Sequence, residues 1–113
     1  MHKQFYIIEN NITYEVHKLY YGSGILKEER WYLNGEHHRK AKPAWLEYFE
    51  NGIIHIEEWW LNDERYRIDG PALICFDEEG KLINEWWYVD GKELNKEETL
   101  KLIRKNKLKL LNE

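Results

Sequence analysis

A chain that repeats itself at a fixed spacing has few architectures open to it, because each unit must bury its apolar side chains against the next. In this sequence the spacing is 28 residues. Shifting by that amount lays Trp31-Tyr32-Leu33-Asn34-Gly35 over Trp59-Trp60-Leu61-Asn62-Asp63, and then over Trp87-Tyr88-Val89-Asp90-Gly91. The same shift, without a gap, aligns Gly24, Gly52 and Gly80, and sets Pro43-Ala44 on Pro71-Ala72 and Arg39 on Arg67. It also stacks Tyr20, Tyr48 and Phe76 in one column and Glu29, Glu57 and Glu85 in another. Residues 31–58 and 59–86 agree at 10 of 28 positions, in columns dominated by Trp, Gly and Pro that chance does not align.

Each unit reads as two strands and two turns. Residues 72–76 and 81–89 are rich in β-branched and aromatic side chains and flank the polar loop Asp77-Glu78-Glu79-Gly80. The glycine column closes that loop, and Asn34-Gly35 and Asp90-Gly91 carry the pairing that favours a type I′ hairpin. Pro43 and Pro71 open the next strand, where a missing N–H costs no ladder bond. The pattern predicts an all-β fold, an antiparallel meander of two-stranded 28-residue repeats, with strands near 4–9, 12–21, 25–33, 43–49, 53–61, 72–76 and 81–89. Residues 1–14 lack the tryptophan column and read either as a decayed unit or as a separate capping hairpin around Asn10-Asn11, with the repeats over 15–94. A C-terminal amphipathic helix within 95–113 completes the single domain, 1–113. Asn95 with Glu98 caps its start, and Leu100, Ile103, Leu108 and Leu111 form an apolar face. It is expected to dock on the sheet through Leu100, Ile103 and Leu111 and to hide the last edge.

Strand alternation puts Ile25, Trp31 and Leu33 on one side, followed by Ile53, Trp59 and Leu61, then Ile83, Trp87 and Val89. That side is expected to be the core. The opposite side carries Tyr32, Trp60, Trp86 and Tyr88, a strip of large aromatics that is either second core or interaction surface. Arg39 and Arg67 are expected near the rim of that strip. They are also the natural counter-ions for Glu29, Glu57 and Glu85, whose column reads as a repeated ion pair that sets register, or as a charged groove.

The chemistry of catalysis is missing from the pattern. His2, His17, His37, His38 and His55 show no zinc-ligand spacing, and His37 and His38, being adjacent, should face opposite ways. The sole cysteine, Cys75, lies between Ile74 and Phe76, where burial would make it inert, and it has no disulfide partner. No phosphate-binding glycine loop or nucleophile elbow occurs. Neither a catalytic residue, a metal nor a cofactor is expected. Charged residues make up 34% of the chain yet sum to a net charge of -4, which argues against a dedicated nucleic-acid partner. No apolar run reaches a membrane span and the N-terminus lacks a signal peptide, so a cytoplasmic location without membrane association is expected.

Arg67-Ile68-Asp69-Gly70-Pro71-Ala72, then Gly80, then Glu85-Trp86-Trp87-Tyr88-Val89-Asp90-Gly91 resemble the repeat Arg-x-x-Gly-Pro-Ala … Gly … Glu-x-Trp-Tyr-x-Asn-Gly. Repeats of this kind are similar to variants of MORN repeats, found in proteins of large DNA viruses, phages and AT-rich bacteria, including an antitoxin-like family. The resemblance covers about residues 15–94. It departs at Ala41-Lys42, which replaces Asp-Gly before Pro43-Ala44, and at Asp63, which replaces a turn glycine; turns of different shape are expected at both places. The resemblance implies a binding module and supplies no catalytic motif.

Three function classes follow. The first is a non-enzymatic protein-binding module, an inhibitor, antitoxin or anti-defence protein, using Tyr32, Trp60, Trp86, Tyr88, Arg39 and Arg67, with a homodimer through an edge strand or the aromatic face as a further option. The second is a small-ligand or nucleotide binder in which the same rings and arginines grip a base. The third, a hydrolase using the glutamate column, would need two carboxylates in contrasting environments and is the least favoured.

Overall fold

A computed structural model describes residues 1–89 and 91–111, with the side chains of Thr99, Ile103 and residues 106–111 outside the description. Asp90, assigned above to the last hairpin turn, therefore lies outside the described residues, as do the side chains of Ile103 and Leu111, expected to dock, and of Leu108 on the same apolar face. The elements run β1 (His2–Glu9), β2 (Ile12–Tyr20), β3 (Leu26–Leu33), β4 (Glu36–His37), β5 (Trp45–Tyr48) and β6 (Ile54–Glu58). They continue as β7 (Trp60–Leu61), β8 (Glu64–Arg65), β9 (Leu73–Phe76), β10 (Leu82–Val89), β11 (Lys92–Leu94) and α1 (Lys96–Leu111). The sheet order is β1-β2-β3-β5-β6-β9-β10-β11, with β4 paired to β3 and β7-β8 forming a separate two-stranded ribbon. Every pairing is antiparallel, so the chain is the meander of hairpins that the period predicts. The molecule measures 52 × 34 × 21 Å.

Two turns recur in every unit. In the first, the N–H of Gly24, Gly52 and Gly80 donates to the carbonyl of Tyr21, Phe49 and Asp77, and those three residues donate back to Ile25, Ile53 and Lys81. The glycines take φ of 89°, 89° and 86°, which completes a type I turn with a left-handed residue and shifts the register of the strands beside it. In the second, Asn34-Gly35 adopts φ of 50° and 81°. Asn62-Asp63 adopts 48° and 62°, and Asn10-Asn11 adopts 53° and 63°. Asp63 thus keeps the shape that glycine would give it, contrary to expectation; its Oδ1 accepts the His37 N–H at 2.6 Å and holds the strained residue in place. The Ala41-Lys42 loop does differ, since Ala41 sits at φ 64° while Asp69, its counterpart, has no positive φ.

Cross-strand register carries the faces. Phe5 opposes Val16, and Val16 opposes Trp31. Leu46 lies between Glu29 and Glu57, and Ile74 between Glu57 and Glu85, so successive glutamates are separated by an aliphatic side chain. Tyr14, Val16, Trp31 and Ala44 form the buried centre, with Phe5, Ile7, Ile12, Leu33 and Trp60 packed around it. Alanine is required beside the tryptophan column because the backbones meet there: the N–H of Trp31 and Trp59 donates to the carbonyl of Ala44 and Ala72, each at 2.7 Å.

Two residues assigned to the core are not in it. Ile25 is 38% exposed and Ile83 is 63% exposed. Ile25 lies in the turn before β3, and Ile83 falls in the register shift between Leu82 and Asn84, where strand alternation is reset. The N-terminal hairpin is also longer than predicted, since β1 and β2 pair from His2 to Leu19. At the other end the Glu98 N–H donates to Asn95 Oδ1 at 2.8 Å, the expected cap, and Leu100 is half-buried. Lys96 Nζ lies 3.9 Å from Glu85, on the side of Trp87. Among the described residues no helix is long and apolar enough to cross a membrane.

Candidate functional site

The hairpins β3-β4, β7-β8 and β10-β11 lie side by side as a second row of strands. Arg39 N–H donates to Trp60 O at 3.2 Å and Asp63 N–H to His37 O at 3.0 Å, which joins the first hairpin to the second. This row aligns the repeat positions Tyr32, Trp60 and Tyr88. Between them stand the residues that occupy one further repeat column, His37 and Arg65.

The result is a ladder of stacked groups. The Tyr32 and His37 rings are 4.7 Å apart, and His37 and Trp60 are 5.2 Å apart. The Arg65 guanidinium then lies 5.1 Å from Trp60 and 5.5 Å from Tyr88. Trp45 stacks on His37 from the main sheet, with planes 10° apart, and carries the Arg30 guanidinium 3.9 Å above its ring. His17 meets the edge of Tyr32 at 5.1 Å and His2 meets His17 at 5.2 Å. Cations in the ladder have counter-charges: Arg65 on Glu58 at 3.0 Å, which is buried, and Arg30 on Glu28. Asp63 accepts from His37, and that backbone N–H is the main reason its carboxyl titrates below the usual range. Such stacked and cation-bearing rings favour a fixed arrangement over free rotamers.

Tyr32, Trp60, Trp86 and Tyr88 do share this side, each half-buried. Trp86 faces Leu73 on the main sheet, outside the hairpin row. Trp60 also packs against the core, so it is partly structural. His37 and His38 face opposite ways, as adjacent strand residues should, with His38 stacked near Tyr14. Sequence reasoning missed His37, Trp45, Arg30 and Arg65. A signal existed for His37 and Arg65, because both sit 28 residues apart in the strand that answers each aromatic.

Arg39 and Arg67 are elsewhere. They lie on the tryptophan side, not at the rim of the strip: the Arg39 guanidinium is 3.6 Å from the Trp31 ring and Arg67 is 3.9 Å from Trp59. Nor do they neutralise the glutamate column. Arg39 donates Nε and Nη2 to Glu9, each at 3.0 Å, and Nη1 to Pro43 O; Arg67 donates Nε to Asp69 and Nη1 to Pro71 O. Each is a clamp that binds a tryptophan to the loop before the next strand. Lys18 lies 3.6 Å from Glu29, while burial pushes the Glu57 carboxyl up and Arg67 only partly offsets this. Burial likewise raises the Cys75 thiol, with Glu58 and Glu47 adding to it, so the thiol has little thiolate character.

Comparison with protein-family models, curated proteins and solved structures gives no match. The geometry alone therefore carries the functional argument.

The Arg39 clamp makes one prediction. Its hydrogen bonds hold Glu9 down at about 2, against burial, which pushes the other way, and Lys42 assists at 3.1 Å. A depressed folded-state value means the stabilisation is complete above the unfolded carboxyl's value and fades as pH falls from about 5 toward about 2. Screened by solvent, the contribution should be roughly 2 kcal/mol at neutral pH. Denaturant midpoints of the parent and Glu9→Gln should differ at pH 7, and the gap should shrink steadily as pH falls from about 5 toward about 2; a constant gap would refute the linkage.

Proposed function

We propose that this chain is a non-enzymatic protein-binding module, an inhibitor, antitoxin or anti-defence factor, whose partner docks on the aromatic strip. The observation that carries the reading is the ladder Tyr32-His37-Trp60-Arg65-Tyr88, flanked by Trp45 and Trp86. Tyr32, Trp60, Trp86 and Tyr88 are each half-buried, so part of every ring is open to solvent. Trp, Tyr and Arg supply most of the energy at protein interfaces, since they bury much area for few rotatable bonds, and a partner gains most where the rings are already held in place. Turnover has no comparable support. The half-buried Glu57 is flanked across the sheet by Leu46 and Ile74, and the ladder's His37 and Arg65 are already paired with Asp63 and Glu58.

The test uses Trp86→Glu, because Trp86 faces this side without belonging to the buried centre. Immobilised parent chain and a Lys81→Glu control should retain the same host protein, and Trp86→Glu should lose it while keeping the parent's thermal midpoint. A folded Trp86→Glu chain that retains the partner undiminished would remove the strip as the interface.

A further inference from the structure

The opposite side of the molecule carries a cleft of about 310 Å³ between two successive repeat loops, with Arg39, Lys40 and Ala41 on one wall and Arg67, Ile68 and Asp69 on the other. Trp59 and Leu61 lie between the walls. We propose that this cleft binds a small organic anion: its oxyanion between Lys40 and the free edge of Arg67, its apolar body against Leu61 and Ile68.

The charge around the cleft is the first reason. Among the described residues Arg39, Lys40, Lys42 and Arg67 are met by Glu9 and Asp69, and Arg67 also by Glu57, whose carboxyl burial pushes up, so four cations meet three acids and the local balance stays positive in a chain whose net charge is -4. The excess is also available. Glu9 takes up both Arg39 and Lys42. Lys40 makes no side-chain hydrogen bond or ion pair among the described residues, and Arg67 keeps its second Nη without a partner.

The second reason is the difference between two otherwise equivalent clamps. The carboxylate on Arg39 comes from the N-terminal hairpin and is 17% exposed, whereas that on Arg67 comes from its own loop and is 69% exposed. The first clamp is closed, while the second opens on water beside a 54% exposed Ile68. Arg67 is also held at several points: its guanidinium lies over Trp59 and donates to Asp69 and Pro71 O, and it packs so closely on Gly70 that a Cβ there would stand 2.7 Å from its Cζ. A preset cation beside apolar surface suits an oxyanion carried on a flat or branched body, and the cleft's size falls at the small end of ligand sites. Ala41 forms part of the wall at φ 64°, a conformation that costs a non-glycine residue and is enriched where a loop is shaped for a ligand. This site shares no residue with the aromatic strip, so either proposal can fail alone.

Phenyl phosphate and benzoate serve as probes for a phosphate or a carboxylate source, with neutral benzamide as control. The readout is the Trp59 indole N–H resonance of the full chain, assigned through Trp59→Phe. One or both anions should shift it saturably, and benzamide should not; the tighter anion identifies the source. Lys40→Glu should weaken binding about tenfold, and Asp69→Asn, which removes the one acid facing the ligand, should tighten it about two- to threefold. Neither substitution touches a core side chain, and unchanged resonances from the other indoles verify the fold. Equal binding of benzamide, no response to either anion, or both substitutions moving the affinity in the same direction would overturn the proposal.

Discussion

Trp31→Ala is expected to cost about 3–5 kcal/mol of folding stability. Trp31 is 3% exposed, meets the Tyr14 ring edge-on at 5.3 Å, carries Arg39 on its face and anchors Ala44 through its backbone. The substitution removes the indole from the buried cluster of Tyr14, Val16 and Ala44, and it strips Arg39 of the surface that orients it toward Glu9. A chain of this size holds about 5–15 kcal/mol in total, so the variant should approach the unfolding threshold at physiological temperature. The repeat treats Trp59 as equivalent, but Trp59 is only half-buried and borders the cleft, so Trp59→Ala should cost distinctly less. Urea midpoints of the two variants check the order. Equal losses would mean that the column, and not its place beside Tyr14 and Val16, sets the energy.

That contrast shows what a repeat can and cannot convey. The columns of Trp, Gly, Pro and Ala specify the hairpins and their order, because each is tied to a local backbone demand: left-handed φ at Gly52, a bond from Trp59 N–H to Ala72 O, and Pro71 two residues ahead of β9. Burial depends instead on what lies outside the unit. Trp31 gains Tyr14 and Val16 from the N-terminal hairpin, which carries no repeat, and Trp59 gains no such neighbour. The same holds for the site. Tyr32, Trp60 and Tyr88 could be placed on one side by alternation, yet the groups between them, His37 and Arg65, belong to two-residue strands that hairpin turns project and that no hydrophobic pattern marks. Arg39 was misplaced because it lies beyond β4 in an irregular loop, where period-two alternation no longer tells the side on which a residue falls.

Gly52→Val should cost about 2–3 kcal/mol, and Gly80→Val a similar amount, for a reason that contacts do not supply. Nothing lies within 4 Å of a Cβ built on Gly52, and Gly80 would meet only Ile53 Cγ2 at 3.9 Å. The loss is therefore backbone strain at φ of 89° and 86°, which a β-branched residue tolerates worst. Asparagine is the discriminating substitution. The chain already holds Asn10, Asn11, Asn34 and Asn62 at positive φ, so Gly52→Asn should lose less than about 1 kcal/mol. Equal losses for Val and Asn would show that side-chain bulk, not φ, sets the effect. The two turns are also coupled, because Asn51 Nδ2 donates to Glu78 O at 2.9 Å while Asn51 Oδ1 accepts from Ile53 N–H. Strain at either glycine displaces that bridge, and a bridge already broken cannot be lost again. The double variant, Gly52→Val with Gly80→Val, should accordingly lose less than the sum of the single losses, by about 0.5–1 kcal/mol. Strict additivity in denaturant titrations would mean that the repeats carry their turns independently.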